Sequence, residues 1–163
     1  DRLSPLCDGD ASSWPVSRVR GRITEEAMMK FTLIIEGQAD GKARPRMTRR
    51  GRVYSPPDTH GFSDKIKVQA LAAGITEMTG PVSVGIYVHR AMPKSASKKR
   101  KALLDTTWCV SKPDIDNVFK SAMDALTGIA WKDDTQVTRI AGGRWWAQEH
   151  YTVIEITSLQ EDN

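Results

Sequence analysis

Apolar and polar positions alternate along this chain in several short, well-separated stretches. Phe31 to Glu36 (FTLIIE) is rich in β-formers and stops at Gly37, so it reads as a first strand. From about Asp58 to Ala73, the residues Phe62, Ile66, Ala70 and Ala73 recur at helical spacing, and Gly74 is a natural stop. Pro81 opens a second strand, Val82 to His89, with Val82, Val84, Ile86 and Val88 on one face. Pro93 and Ser97 can start a short helix running through Leu104. Pro113 biases Lys112 to extended backbone, which puts Asp114 and Asp116 on the same side of an extended piece. Asp116 can then cap a helix from Asn117, closed by Gly128, with Val118, Phe119, Ala122, Met123 and Leu126 as its buried face. Val137 to Ala141 and Tyr151 to Thr157 read as strands, the second alternating imperfectly, and Gly142-Gly143 as a bulge or turn.

Composition narrows the class. The 163 residues are 39% apolar and 27% charged, a globular balance for about one domain. No stretch approaches the roughly 18 consecutive apolar residues of a membrane span. Cys7 and Cys109 are too few for a disulfide framework and lack the paired spacing of a structural zinc site, which suits a reducing, cytoplasmic setting. The opening DRLSPLCDGDASSW has no secretory signal pattern, and Met28-Met29 precedes the first strand. Residues 1–28 are expected to be a poorly ordered extension, a cloning remnant or a mis-assigned upstream start, with the domain proper at 29–163.

The net charge of +4 conceals a sharp segregation. Lys42, Arg44, Arg46, Arg49, Arg50 and Arg52 lie in one acid-free stretch broken by Pro45 and Gly51, read as a loop or irregular hairpin. Arg90, Lys94, Lys98, Lys99, Arg100 and Lys101 make a second. Between Lys112 and Asp134 the balance reverses, with five Asp against three Lys. Two basic stretches beside an acidic one point to a polyanionic partner and a separate carboxylate site. Lys42, Arg44, Arg46, Arg49, Arg50, Arg52, Lys94, Lys98, Lys99, Arg100 and Lys112 are the candidate nucleic-acid contacts.

The acidic stretch carries the candidate chemistry. Asp114, Asp116 and an acid of the Asp133-Asp134 pair can converge, and Lys120 lies one helical turn beyond Asp116. Hard cations such as Mg²⁺ take carboxylate oxygens, water and substrate phosphate, and three acids held this close repel one another without a cation. Such an ion activates water for attack at phosphorus, while Lys120 can orient that water or offset charge on the phosphate. The plainer alternatives are a helix cap for Asp-x-Asp, a Lys120–Asp124 surface pair and turn residues at 133–134. The three histidines have no ligand spacing, and no P-loop or Ser/His/Asp order occurs. Trp131, Trp145 and Trp146 suit core or dimer contacts better than base stacking.

The segment KPDIDNVFKSAMDALTGIAWKDDTQV closely resembles the signature of the RusA family of Holliday junction resolvases, common in bacteria's phages and prophages. Its hallmarks are Asp-x-Asp-Asn, a lysine four residues after the second Asp, Asp-Ala-Leu-Thr and Trp-x-Asp-Asp. GKARPRMTRRGRVYSPP and MPKSASKKRKALL also look like family segments, and the likeness runs from about Lys30 to Thr157. Gly142 to Trp146 falls where the family varies.

The resemblance implies catalytic, metal-holding carboxylates at Asp114, Asp116 and Asp134, a catalytic lysine at Lys120, and Asp133 as a further candidate ligand. It implies a small α+β subunit, a mixed sheet with flanking helices, working as a homodimer. The activity implied is a Mg²⁺-dependent crossover junction endodeoxyribonuclease, with Mn²⁺ as a substitute, serving DNA recombination and repair. A two-fold junction cut on opposing strands matches one carboxylate site per subunit of a C2 dimer. Neither a membrane nor a small-molecule cofactor is expected as partner. The competing readings are a non-catalytic, structure-selective DNA-binding protein and a flap or single-strand nuclease.

Overall fold

The computed structural model describes residues 29–40, 46–54, 61–105 and 107–159. Four strands form one mixed sheet: β1 (Lys30–Glu36), β4 (Val82–Ala91), β5 (Val137–Ala147) and β6 (Tyr151–Ser158), in the order β1-β6-β4-β5. β6 runs antiparallel to both β1 and β4, whereas β4 and β5 are parallel. Parallel neighbours need a long crossover. Here the chain between them contains α2 (Lys98–Leu104) and α3 (Ile115–Leu126), while α1 (Phe62–Ala72) precedes β4. A two-stranded ribbon, β2 (Arg46–Met47) and β3 (Val53–Tyr54), completes an α+β domain.

Alternation on β4 sets the core. Val82, Val84, Ile86 and Val88 are buried on one face, joined by Leu33 and Ile35 of β1 and Ile154 and Ile156 of β6. Helices α1 and α3 complete this layer with Phe62, Ile66 and Ala70 and with Val118, Ala122, Ala125 and Leu126. Full burial of a Val, Leu, Ile or Phe side chain contributes roughly 1.5–3 kcal/mol, so this one cluster is the main driving force for folding. Between the helices, the Ser63 and Ser121 hydroxyls share a 3.0 Å hydrogen bond.

Several expectations shift in detail. The α1 helix begins at Phe62 rather than near Asp58, and residues 55–60 lie outside the described residues. Ala73 is exposed as the C-cap instead of buried. Gly74, at φ +69°, follows it, with Gly74 N–H bonded to Leu71 O and Ile75 N–H to Ala70 O. These are the paired bonds of a Schellman stop, so the glycine acts where expected but the apolar stripe ends one turn earlier. Ser97 caps α2 as anticipated, its hydroxyl accepting from Arg100 N–H at 3.2 Å. The basic stretch at 46–54 is a short ribbon whose turn is closed by Thr48 and Arg52.

The larger correction concerns β5. It continues through Gly142-Gly143 to Ala147, with no turn or register shift there. At Gly142, φ is +143° and an added Cβ would lie 1.9 Å from Ile86 O, so only glycine lets β5 approach β4. An added Cβ at Gly143 would press on the Trp145 and Trp108 rings. β6 in turn alternates strictly, with Thr152, Ile154, Ile156 and Ser158 buried; the two hydroxyl residues on the inner face are what obscured the period.

On the opposite face of the sheet the rings of Trp108, Trp145, His89 and Tyr151 stack in series, with centroid separations of 5.1, 5.7 and 4.2 Å. Burial in this row pushes the His89 imidazole below its ordinary pKa. Trp131 is fully buried in the core, as the sequence suggested. Cys109 is buried and free, and Cys7 lies outside the described residues, as do residues 1–28 altogether. Among the described residues, no helix is long and apolar enough to cross a membrane.

Replacing Gly142 with alanine is expected to destabilise the domain by on the order of 3 kcal/mol, through forced strain and a backbone clash. Urea unfolding would register this as a lowered midpoint; a change under about 0.5 kcal/mol would contradict the close-approach explanation.

Candidate active site

The N-terminus of α3 is built by the segment Ser111–Asp114. Asp114, in extended backbone at φ −68° and ψ 144°, is the N-cap residue, and its carbonyl accepts from Val118 N–H at 3.3 Å. The helix therefore starts at Ile115, two residues before the expected Asn117, and Asp116 sits in its first turn instead of capping it. Asp114 and Asp116 are thus not two steps of one extended piece. Both carboxylates are exposed, and Asp116 lies where the helix dipole favours negative charge. Arg144 of β5 straps the preceding segment by donating from Nη1 to Ser111 O and Pro113 O.

At the other end of α3, Thr127 is the C-cap and Gly128 turns the chain at φ +81°. The return passes through the buried Trp131 to a single 3-10 turn, Asp134–Gln136. Gln136 anchors that turn: Oε1 accepts from Lys132 and Asp133 N–H, and Nε2 donates to Met78 O and Gly80 O at 3.0 Å. Asp133 caps the turn, its carboxylate accepting from Thr135 N–H at 2.8 Å. That backbone hydrogen bond holds the Asp133 carboxyl below its usual pKa. Asp134 Oδ1 accepts from Thr127 Oγ1 at 2.5 Å and from Trp131 Nε1 at 3.0 Å.

An open groove of about 430 Å³ runs between these ends, lined by Ile115, Asp116, Phe119, Lys120, Met123, Asp124 and Asp134. The structure thus gathers Asp116, Lys120 and Asp134 along one groove. It places Asp114 at the helix cap outside the lining, and Asp133 in the turn. Among the described residues, no three Asp, Glu, His or Cys side chains stand close enough to hold one metal ion together. Of the three carboxylates that line the groove, Asp116 and Asp134 are the two that the sequence motif singled out, and Mg²⁺ is commonly held by one or two carboxylates completed by water and substrate phosphate. The donor set fits such an ion on that footing: hard oxygens, with Asp134 Oδ1 already engaged and its second oxygen taking no hydrogen bond from any described residue.

Asp124, Phe119 and Met123 also line the groove, although sequence reasoning put Phe119 and Met123, here half-buried, on the helix's buried face and Asp124 in a plain surface pair with Lys120. Arg144 was missed as well, because its strap depends on β5 continuing past the two glycines. Of the candidate DNA contacts, Arg49, Arg50, Arg52, Lys94, Lys98, Lys99, Arg100 and Lys112 are exposed. Arg46 lies in β2, and Lys42 and Arg44 fall outside the described residues.

A small α+β domain with a mixed sheet and an acidic groove along one helix is the setting in which the family assignment falls. The model of the RusA endodeoxyribonuclease family matches residues 36–157, most of the chain, and the protein belongs to that family. It is also 35% identical over 128 residues to a protein of Bacillus subtilis (strain 168), "Uncharacterized protein YqaN", an overlap covering 74% of this chain and 89% of that one.

Cutting the strap with Arg144→Met is expected to speed backbone hydrogen exchange in residues 111–118 severalfold while leaving β4 protected. Equal exchange in the two proteins would mean the cap segment is held by something other than Arg144.

Proposed function

We propose that this protein is a Mg²⁺-dependent endodeoxyribonuclease that resolves four-way DNA junctions by paired, symmetric nicks, in recombination and repair. The observation that carries the reading is the groove in which Asp116, Lys120 and Asp134 lie together. Family membership supplies the nuclease class.

In this reading Asp116 and Asp134 would hold the cation, with Asp114 at the nearby helix cap as a further candidate ligand. A divalent ion held there would polarise the scissile phosphate as a Lewis acid and make water easier to deprotonate for attack. Lys120 offsets charge that builds on the phosphate or orients the attacking water. Asp133 serves as the cap of the turn carrying Asp134, with its hydrogen-bonded oxygen already used. The exposed cations Arg49, Arg50, Arg52, Lys94, Lys98, Lys99, Arg100 and Lys112 contact backbone phosphates, together with Lys42, Arg44 and Arg46. Selection of a junction then comes from shape and phosphate placement more than from base contacts. A C2 homodimer sets two such grooves for cuts on opposing strands.

Asp116→Asn is expected to lower junction cleavage by at least about 100-fold, on the scale of losing a group that stabilises the transition state, with junction binding within about threefold of the parent. Gel-based cleavage and filter binding on the same substrate measure both. Parent-like cutting by this variant would overturn the site; loss of binding in parallel would place Asp116 in DNA contact and not in the chemistry.

A further inference from the structure

The carboxylate of Asp134 is fixed in orientation from behind the groove. Trp131 is fully buried, and its indole N–H is the side chain's single polar group. A buried indole N–H needs an acceptor, and here it donates to Asp134 Oδ1 at 3.0 Å. The Thr127 hydroxyl approaches the same oxygen at 2.5 Å and also lies 2.9 Å from Met123 O. A hydroxyl has one proton to give. Met123 O already accepts from Thr127 N–H at 3.0 Å, whereas an O···O separation of 2.5 Å matches a charge-assisted bond to a carboxylate. The Thr127 proton therefore belongs to Asp134.

Two donors, one from the helix C-cap and one from the core, converge on a single carboxylate oxygen. Together they restrict rotation of the Asp134 carboxylate and leave Oδ2 without a hydrogen bond from any described residue. We propose that Thr127 and Trp131 are positioning residues for Asp134, presenting Oδ2 to the cation. This rests on the metal-site reading given above, and it extends that reading to two side chains that touch neither substrate nor ion. Outer hydrogen bonds of this kind orient ligands, and their loss typically costs about 10–100-fold in metal affinity.

The test is Mn²⁺ binding to the full chain without DNA, read by loss of the free-ion electron paramagnetic resonance signal, alongside junction cleavage. Asp134→Asn keeps an acceptor for Trp131 but removes the charge, and it serves as the control for the site itself. Thr127→Val is expected to weaken Mn²⁺ binding about tenfold, and Thr127→Ser to restore it, since serine keeps the hydroxyl. Thr127 is exposed, so its variants are expected to fold; Trp131→Phe gives a second reading by removing only the other donor, with the same direction of change. If Asp134→Asn loses Mn²⁺ while Thr127→Val and Trp131→Phe bind like the parent, the positioning role is overturned and the metal site stands. If Asp134→Asn binds like the parent, the metal-site reading fails and the positioning role fails with it.

Discussion

The hydrogen bond from the buried Trp131 indole to the Asp134 carboxylate joins two parts of this molecule that otherwise have opposite requirements. The core needs Trp131 dry, and full burial of so large a ring is among the strongest apolar contributions in the domain. The groove needs Asp134 wet, charged and reachable. A single N–H at the edge of the ring serves both, because it would be orphaned without the acid and, with the Thr127 hydroxyl, it fixes the acid's orientation. The rest of the arrangement follows from keeping that pair in register. Gly128 reverses the chain after α3, Gln136 ties the following turn to Met78 and Gly80, and β5 then leaves alongside β4.

Helix α3 is accordingly a spacer with two functional ends. Its apolar side locks into the sheet through Val118, Ala122, Ala125 and Leu126, while Asp116 and Lys120 project from the first turns into the groove. Asp134 reaches the groove from the return loop at the far end. The strap from Arg144 steadies the near end, and the bonds of Thr127 and Trp131 steady the far one. Rigid support of this kind suits a site that must hold charges close together before substrate arrives, since preorganised groups need no rearrangement during reaction.

Much of this was legible in the residues, and the exceptions share one cause. The inward face of β4, the capped start of α2 and the stop at Gly128 are local matters of period and turn chemistry, and each appears where the pattern put it. The unbroken course of β5 was not legible. Gly142 looks like a turn residue in sequence, but its role is set by the carbonyl of Ile86 on the neighbouring strand. The cap of α3 moved from Asp116 to Asp114, and there the side chain makes no capping hydrogen bond, so the local capping rule did not set the start of the helix. For the candidate site, the motif drew attention to the stretch of chain that lines the groove. Which acids share a groove, and which one is tied down by Thr127 and Trp131, depends on a loop path that spacing alone does not specify.

The most direct test of the account is cleavage of a strand-labelled synthetic four-way junction, with Mg²⁺ or with a chelator, beside a linear duplex of the same sequence. The account predicts symmetric nicks in opposing arms, on the junction alone and only when the metal is present. Tight junction binding with no nick at any Mg²⁺ or Mn²⁺ concentration would contradict it and leave a structure-selective binding protein in its place.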